Sequence, residues 1–393
     1  MKFLDLFAGI GGFRLGMESA GHECIGFCEI DKFARASYKA IHDTKGEIEL
    51  HDITRVTDES IRGIGRVDVI CGGFPCQAFS IAGNRRGFED TRGTLFFEIA
   101  RFASILRPKY LFLENVKGLL NHENGITFET IISTLDELGY DVEWQVLNSK
   151  NFGVPQNRER VFIIGHLRGE RTRRVFPLSS ASKQVDKHQK LSTNTLTTRY
   201  PNSQGVGSYI IESESQRVSS IGNINPSGRG MNGEVYQADG LAPTLTTNKG
   251  EGVKIIQRAH EYNQGGEHDI APTLTRNSYH ENNVLKITEA TSQGYTEATI
   301  GDSVNLSHPN SQTRRGRVGK QIANTLLTGE SQGVVEPDFR IRKLTPRECW
   351  RLQGFPDWAF DKAQEVNSNF QLYKQAGNGV TVNVIAAIAK ELE

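Results

Sequence analysis

The stretch Val67-Asp68-Val69-Ile70-Cys71-Gly72-Gly73-Phe74-Pro75-Cys76-Gln77 decides the fold class, because a short apolar run leads directly into a turn that contains glycine and proline. The apolar run predicts a buried β-strand. Pro75 fixes its own φ and pushes Phe74 into extended geometry, so the turn presents the Cys76 thiol rigidly at the carboxyl end of the strand. Ligands bind at that edge of an open α/β sheet. The alternative is a buried, unreactive cysteine, which is the usual state of a free thiol.

The composition of the 393-residue chain is that of a globular protein with room for two or three domains. Lys and Arg total 46, as do Asp and Glu, so no overall positive charge indicates a nucleic-acid partner. The five cysteines lack zinc-site spacing, so we predict no metal, and their odd number favours a reducing cytoplasm. The chain begins without a signal-peptide pattern and contains no run of about 18 apolar residues. It is therefore expected to be a soluble intracellular protein.

The pattern of the chain changes twice. Over residues 1–166 short apolar strands alternate with amphipathic helices, which predicts βαβ units and a mostly parallel sheet. From 167 to 338 Ser, Thr, Asn, Gln and Gly dominate, with short β-rich pieces between turns. Helical patterns return from 343, and the apolar face of 382–388 is predicted to pack on the first domain. The predicted strands are 2–6, 24–28, 67–71, 110–114, 141–147 and 161–166, and the predicted helices in the first domain are 13–20, 31–42, 94–106 and 126–138.

The polar middle contains an internal repeat built around a Thr-Leu pair. Three copies are LAPTLTT at 241–247, IAPTLTR at 270–276 and IANTLLT at 322–328, and STNTLTT at 192–198 is a weaker fourth. A short apolar piece follows each copy, and the uneven spacing argues against a solenoid. One interpretation is a set of strand–loop units that present polar side chains to a ligand. The alternatives are a duplicated β-rich insertion without a task and low-complexity disorder.

The segment Asp5-Leu6-Phe7-Ala8-Gly9-Ile10-Gly11-Gly12 follows the first strand and opens a helix. Its glycines let the backbone approach a ligand closely, and the helix N-terminus favours a negative group. Glu29 ends the second strand, where a carboxylate can accept hydrogen bonds from both hydroxyls of a ribose. Asp52 follows at the edge of a third strand and offers a second acceptor, toward an adenine amino group. Together these residues indicate a nucleoside cofactor; the alternatives are a structural glycine turn and a solvated Asp52.

Two further groups of polar residues lie at strand ends. Glu114 ends the apolar strand Tyr110-Leu111-Phe112-Leu113, and partial desolvation there raises a carboxyl pKa toward the range useful for proton donation. Alternation places Gln156, Arg158 and Arg160 on one face before another strand. Two guanidinium groups on one face indicate a clamp for an anion or a carbonyl group. The alternatives are an exposed strand-end Glu or helix cap and a solvated charged edge.

Taken together, these motifs resemble the DNA cytosine-C5 methyltransferases of bacterial modification systems and their phages, in the family's usual order. The resemblance covers 1–166 and about 340–393, and it implies an S-adenosylmethionine-dependent methyltransferase fold, α/β and Rossmann-like, with a smaller β-rich target-recognition domain. One departure is Ile30, where many members carry an aromatic residue. The motifs are Phe7–Gly12, Glu29, Asp52, Pro75-Cys76-Gln77, Arg92-Gly93-Thr94-Leu95, Glu114-Asn115-Val116, Gln156–Arg160, Arg342–Glu348, Arg351–Pro356 and Gln375–Val380.

The resemblance implies a covalent mechanism with S-adenosyl-L-methionine as the methyl donor. The Cys76 thiolate adds to C6 of cytosine, Glu114 holds N3 and the exocyclic amine, Arg160 lies on O2 and Arg158 supports the pocket. The target base must leave the helix first. The implied cofactor-binding residues are Phe7, Ala8, Gly9, Ile10, Gly11, Gly12, Glu29, Ile30, Asp52, Ile53, Pro75, Leu95, Asn378 and Val380, and the implied DNA contacts are Ser80, Arg85, Arg86, Arg92 and Gln156.

The resemblance also implies three segments and a set of partners. Residues 1–166 form the catalytic domain, 167–338 the target-recognition domain, and 339–393 a segment that completes both. The expected partner is double-stranded DNA, read by a monomer that has no membrane association and that can have a cognate restriction endonuclease. The Thr-Leu repeats indicate duplicated recognition units, and a single composite reader is equally consistent. Two alternative functions are an RNA cytosine-C5 methyltransferase and a catalytically silent DNA-binding homologue.

Overall fold

The computed structural model describes residues 1–75, 95–178, 220–223, 234–236, 254–257, 266–268, 283–308, 311, 313–329, 331–337 and 340–392. Cys76, Ser80, Arg85, Arg86 and Arg92 lie outside these residues, as do the Thr-Leu copies at 192–198, 241–247 and 270–276. In the short pieces between 220 and 268 only the backbone is described. Within the described parts, no helix is long and apolar enough to cross a membrane.

A seven-stranded sheet forms the centre of the catalytic region, in the order β3-β2-β1-β4-β5-β7-β6. Six strands are parallel to one another and β7 is antiparallel to both of its neighbours, which confirms the predicted mostly parallel α/β sheet. The short strand β3 was not delimited in the sequence. The strands are β1 Lys2–Leu6, β2 Glu23–Cys28, β3 Ile48–Leu50, β4 Val69–Gly73, β5 Tyr110–Val116, β6 Tyr140–Asn148 and β7 Glu159–Leu167.

Helices cover both faces of the sheet, as expected where parallel strands are apolar throughout. Local capping fixes several of their ends: the Asp31 side chain accepts from the Phe33 and Ala34 amides, and Thr345 and Glu348 form a capping box. The helices are α1 Gly12–Ser19, α2 Lys32–Ile41, α3 Asp58–Gly63, α4 Leu95–Leu106, α5 Ile126–Glu137, α6 Pro346–Leu352, α7 Asp357–Val366, α8 Asn369–Asn378 and α9 Val382–Ala389.

Alternation along the strands sends apolar side chains into two separate cores. Leu4 and Ile70 pack on one side of the sheet with Phe96 of α4. Phe3 and its neighbours pack on the other side against α1 and α9. α9 approaches α1 so closely that a Cβ at Gly16 would lie 2.5 Å from Cγ2 of Ile385. The C-terminal helix therefore packs on the first domain, as its apolar face predicted.

The polar middle forms small antiparallel sheets. Two of them have four strands each, in the orders β11-β10-β12-β13 and β15-β14-β16-β17, and β8 pairs with β9 separately. Strands β10, β12 and β16 overlap the apolar pieces that follow the Thr-Leu copies at 241–247, 270–276 and 322–328. The strands are β8 Ser220–Asn223, β9 Glu234–Tyr236, β10 Lys254–Gln257, β11 Gly266–His268, β12 Asn283–Thr288, β13 Tyr295–Ala298, β14 Ser303–Asn305, β15 Val318–Gly319, β16 Gln332–Val335 and β17 Ile341–Lys343.

Candidate active site

A glycine-containing loop joins β1 to α1 at the carboxyl edge of the sheet. Phe7, Gly9 and Gly11 all have positive φ, at 56°, 57° and 84°. A Cβ at Gly9 would meet nothing within 4 Å, so the loop leaves open space there, whereas one at Gly11 would lie 2.0 Å from Nε2 of His42. The loop is therefore closed on the protein side by His42 and open at Gly9. No sequence pattern indicates His42, because the α2–β3 connection brings it under the loop.

Glu29 lies beside this loop at the end of β2. Its Oε2 accepts from the Gly9 amide at 2.7 Å and its Oε1 from the Asp31 amide at 2.7 Å. Burial raises the pKa of Glu29, and the two amide hydrogen bonds oppose that rise. The next residue, Ile30, is 67% exposed. The structure thus joins the glycine loop, the carboxylate and an exposed apolar side chain in one place.

The other predicted cofactor residues lie along the same edge with different degrees of exposure. Asp52 caps a short 3₁₀ turn, accepts from the Thr54 amide and hydroxyl, and lies 3.3 Å from Arg55. Ile53 is buried in the core and Leu95 packs against that core. Asn378 is exposed. The cofactor roles of these residues stay predictions.

The ends of β4 and β5 form the second part of the site. Gly73 is the register partner of Glu114, and the Asn115 side chain donates to the Phe74 carbonyl at 2.9 Å. A Cβ at Gly73 would lie 3.0 Å from Oε2 of Glu114, so this glycine keeps space beside the carboxyl group. Gly73, Phe74 and Pro75 directly precede Cys76. The sheet therefore places the residues just before the cysteine next to Glu114.

Glu114 forms an ion pair across the edge of the sheet. Its Oε1 lies 3.0 Å from Nε of Arg160, and the residue is 8% exposed. Burial raises the pKa of Glu114, while the charges of Arg160 and then Arg158 lower it. The net direction is upward, so the carboxyl group holds a proton to a higher pH than an ordinary glutamate. It is suited to donate a proton or a hydrogen bond.

Arg158 is buried behind this pair. Its Nη2 donates to the carbonyls of Gly377 and Gly379, at 3.2 and 2.8 Å. Burial, and after it the like charge of Arg160, lowers the pKa of Arg158, but a guanidinium group keeps its charge in proteins. Its Nε and Nη1 are buried without a hydrogen-bond partner among the described residues. Two nitrogen donors of this cation are therefore buried with no hydrogen-bond partner in the part of the chain that the structure describes.

Val380 connects the two parts of the site. Its Cγ2 would be 2.7 Å from a Cβ at Gly12, and its Cγ1 would be 3.7 Å from one at Gly73. A single side chain thus touches both the glycine loop and the strand end that leads toward Cys76. The segment after α8 reaches this place because Arg158 holds the carbonyls on either side of Asn378.

Gln156, predicted to contact DNA, is fully buried in this structure. Its Nε2 donates to the Leu352 carbonyl at 2.9 Å and its Oε1 accepts from the Leu326 amide at 3.5 Å. A DNA contact would require the side chain to leave both partners, and that role stays a prediction. The alternation argument applies poorly to Gln156 and Arg158, because β7 begins only at Glu159.

Comparison with known proteins identifies the family of this chain. The family model described as C-5 cytosine-specific DNA methylase matches residues 1–393 of the chain. The chain belongs to this family. It is 36% identical over 433 residues to orphan methyltransferase M.SPRI of Bacillus phage SPR, covering 100% of this chain and 97% of that one. It is 35% identical over 395 residues to type II methyltransferase M.HpaII of Haemophilus parainfluenzae, covering 99% and 88%.

Solved structures agree on the fold. The Dnmt2 methyltransferase of S. pombe superposes with a TM-score of 0.52 at 17% identity, over 98% of this chain and 96% of that one. The protein is a DNA (cytosine-5-)-methyltransferase, and its family uses S-adenosylmethionine. The open space at Gly9, the Glu29 carboxylate and the exposed Ile30 side chain fit that cofactor.

Proposed function

We propose that this enzyme methylates C5 of cytosine within a specific double-stranded DNA sequence, through base flipping and a covalent adduct with Cys76. The Glu114–Arg160 pair carries the proposal, because it presents a carboxyl group with a raised pKa and a cation beside the chain that leads to the cysteine. Such a pair suits N3 and O2 of a cytosine ring, with Arg158 supporting it from behind.

The four other cysteines support Cys76 as the nucleophile. Cys24, Cys28, Cys71 and Cys349 are all buried. Burial raises the pKa of Cys24, Cys28 and Cys349 to about 12 and raises that of Cys71 as well. The thiolate is the reactive form, so these four are poor nucleophiles at neutral pH.

The proposed reaction balances as an addition, a transfer and an elimination. The Cys76 thiolate forms a bond to C6, and Glu114 stabilises the ring with a proton at N3, which makes C5 enamine-like and nucleophilic. When bound, S-adenosylmethionine would supply its electrophilic methyl group to C5 and leave as the neutral thioether S-adenosylhomocysteine. Glu29 would hold its ribose, and the glycine loop would allow it to lie close to the backbone. A base then takes the C5 proton, Cys76 leaves C6 as the thiolate, and N3 returns its proton to Glu114, which restores the aromatic ring as 5-methylcytosine.

The roles of three segments of the chain are part of the proposal. Residues 1–166 carry the chemistry, 167–338 the recognition of a DNA target, and 339–393 complete both parts. The enzyme would act as a monomer in the cytoplasm and protect phage or bacterial DNA, with or without a cognate endonuclease. Type II and phage relatives of the family support this setting.

Methylation of duplex DNA is the direct test of this function. We expect the purified enzyme to transfer labelled methyl groups to duplex DNA and not to tRNA, and bisulfite sequencing of DNA from expressing cells to show methylated cytosines in a defined motif. A 5-fluorocytosine duplex should trap the protein covalently, because elimination needs a C5 proton. Transfer to tRNA alone would favour the RNA enzyme, and absence of both transfer and trapping would favour a silent homologue.

The cofactor role of Glu29 gives a second prediction. Glu29→Ala should weaken S-adenosylmethionine binding by about 1.5–3 kcal/mol, the value of a hydrogen bond to a charged group. Calorimetry without DNA measures this change directly. Glu23→Ala is the matched control, because that glutamate is exposed at the opposite end of the same strand. Equal affinities of Glu29→Ala and the wild type would leave Glu29 only as a partner of the Gly9 and Asp31 amides.

A further inference from the structure

The Thr-Leu copy at 322–328 lies against the catalytic domain. The Asn157 amide donates to the Ala323 carbonyl and the Ala323 amide to the Pro155 carbonyl, both at 2.8 Å. The Thr325 hydroxyl donates to the Asn157 carbonyl at 2.7 Å. These three bonds pair the segment with the chain that leads into β7, where Gln156 and Ala323 form a parallel bridge. The segment is therefore attached to residues 155–157, directly before the strand that carries Arg160.

Side chains strengthen this attachment. Ala323 and Leu326 are buried, at 8% and 4% exposure, in one apolar cluster with Trp350 and Leu352. The Leu326 amide donates to Gln156, whose own amide reaches the Leu352 carbonyl. A Cβ at Gly377 would lie 2.4 Å from the Leu327 carbonyl oxygen, so the segment also touches the end of α8. We call residues 155–157, Leu352 and Gly377 the docking site.

The residues that contact the docking site are the same in three copies of the repeat, at 241–247, 270–276 and 322–328. Ala323, Thr325 and Leu326 recur as Ala, Thr and Leu at 242, 244 and 245, and again at 271, 273 and 274. The position of Leu327 is Thr in both of those copies, and here its side chain is 47% exposed. Side chains that read bases must differ between units with different targets, whereas side chains that dock on one surface must stay the same.

The sheets repeat in the same way as the motif. In the sheet that ends at β17, the segment 322–328 connects β15 to β16, and in the other sheet 270–276 lies between β11 and β12. In each case the first strand of the unit, β14 or β10, pairs with both flanking strands. In chain order, a Thr-Leu copy thus connects corresponding strands in two units of the same strand order.

We propose that the Ala-x-Thr-Leu segment at 322–328 is a docking element, which positions a recognition unit on the catalytic domain and does not read bases. The proposal rests on the function proposed above, because it assigns the unit to DNA recognition. Thr325 is a positioning residue in this view: it acts through Asn157 and Gln156 on the strand that carries Arg160. The residue types Ala, Thr and Leu recur at 271, 273 and 274.

Amide hydrogen exchange on the full chain without DNA or cofactor tests the docking directly. In Thr325→Val, which keeps the shape and removes the donor, exchange at Asn157 and Ala323 should become about 2- to 10-fold faster, the effect of one neutral hydrogen bond. Thr325→Ser should restore wild-type exchange. Leu327→Ala and Thr273→Val are matched controls that should leave both amides unchanged. Unchanged exchange in Thr325→Val, or equal acceleration in Thr273→Val, would overturn the assignment.

The methylated sequence motif of Thr325→Val then distinguishes a docking role of Thr325 from a role in reading bases. Thr325→Val should methylate the same sequence motif as the wild type at a reduced rate, because the unit keeps its base contacts and loses its position. If Thr325 reads a base, the motif should relax at one base pair by the roughly 5- to 150-fold that a lost base contact costs. That result would refute the docking role. Because exchange is measured without DNA, it remains informative even if the enzyme fails to methylate duplex DNA.

Discussion

Cys76→Ser should bind its DNA target specifically and transfer no methyl group. The serine hydroxyl has nearly the size of the thiol, so sequence reading is retained, but it does not ionise near neutral pH and cannot add to C6. Methyl incorporation into duplex DNA measures the loss, and a gel-shift titration with the same duplex measures binding.

Cys71→Ala provides the control for this experiment. Cys71 lies five residues earlier on β4, is fully buried, and has a pKa raised by burial, so its thiol takes no part in the chemistry. This variant should keep the covalent trapping on 5-fluorocytosine DNA that Cys76→Ser loses. Normal methyl transfer by Cys76→Ser would exclude the adduct.

Glu114→Gln should reduce methyl transfer by about 10²–10⁴-fold, the contribution typical of a positioned acid. Glutamine keeps a hydrogen-bond donor and acceptor at the site but cannot deliver a proton to N3, and it leaves Arg160 without its carboxylate partner. Single-turnover rates at saturating S-adenosylmethionine isolate the chemical step from binding.

Glu159→Gln is the matched control, because Glu159 lies on the same strand as Arg160 and, among the described residues, its side chain makes only an exposed ion pair with Lys117. Exposed pairs of this kind contribute about 0–1 kcal/mol, so the rate should not change. Equal rates for Glu114→Gln and Glu159→Gln would remove Glu114 from the reaction.

The sequence predicted the parts of the site that local patterns determine. Glu29 and Glu114 were predicted to end apolar strands, and the carboxyl ends of parallel strands meet at one edge of a sheet. The structure adds that Glu29 accepts from the Gly9 amide and that Glu114 lies beside Gly73. The apolar runs were long enough to place the main strands within a few residues. The short β3 lacked that signal.

Contacts between distant segments were not predictable in this way. Arg158 donates to the carbonyls of Gly377 and Gly379, more than 200 residues away in the chain. The sequence indicated a clamp for an anion or a carbonyl group of a ligand, whereas the buried guanidinium binds carbonyls of the protein itself. His42 approaches Gly11 only because the α2–β3 connection folds beneath the loop. Likewise, the Thr-Leu pair could be recognised as a repeat, but its place against Asn157 depends on how the domains meet.

The contact between α9 and α1 has a consequence for synthesis of the protein. The helix that shields Phe3 and Phe112 from water is encoded after the whole recognition region. A ribosome therefore delivers β1, β4 and β5 long before α9, and the part of this face that α9 covers beside α1 stays exposed to water until residues 382–389 emerge. These apolar side chains therefore stay exposed while the polar middle is translated. A chain truncated within the polar middle would lack α9 and its contact with α1.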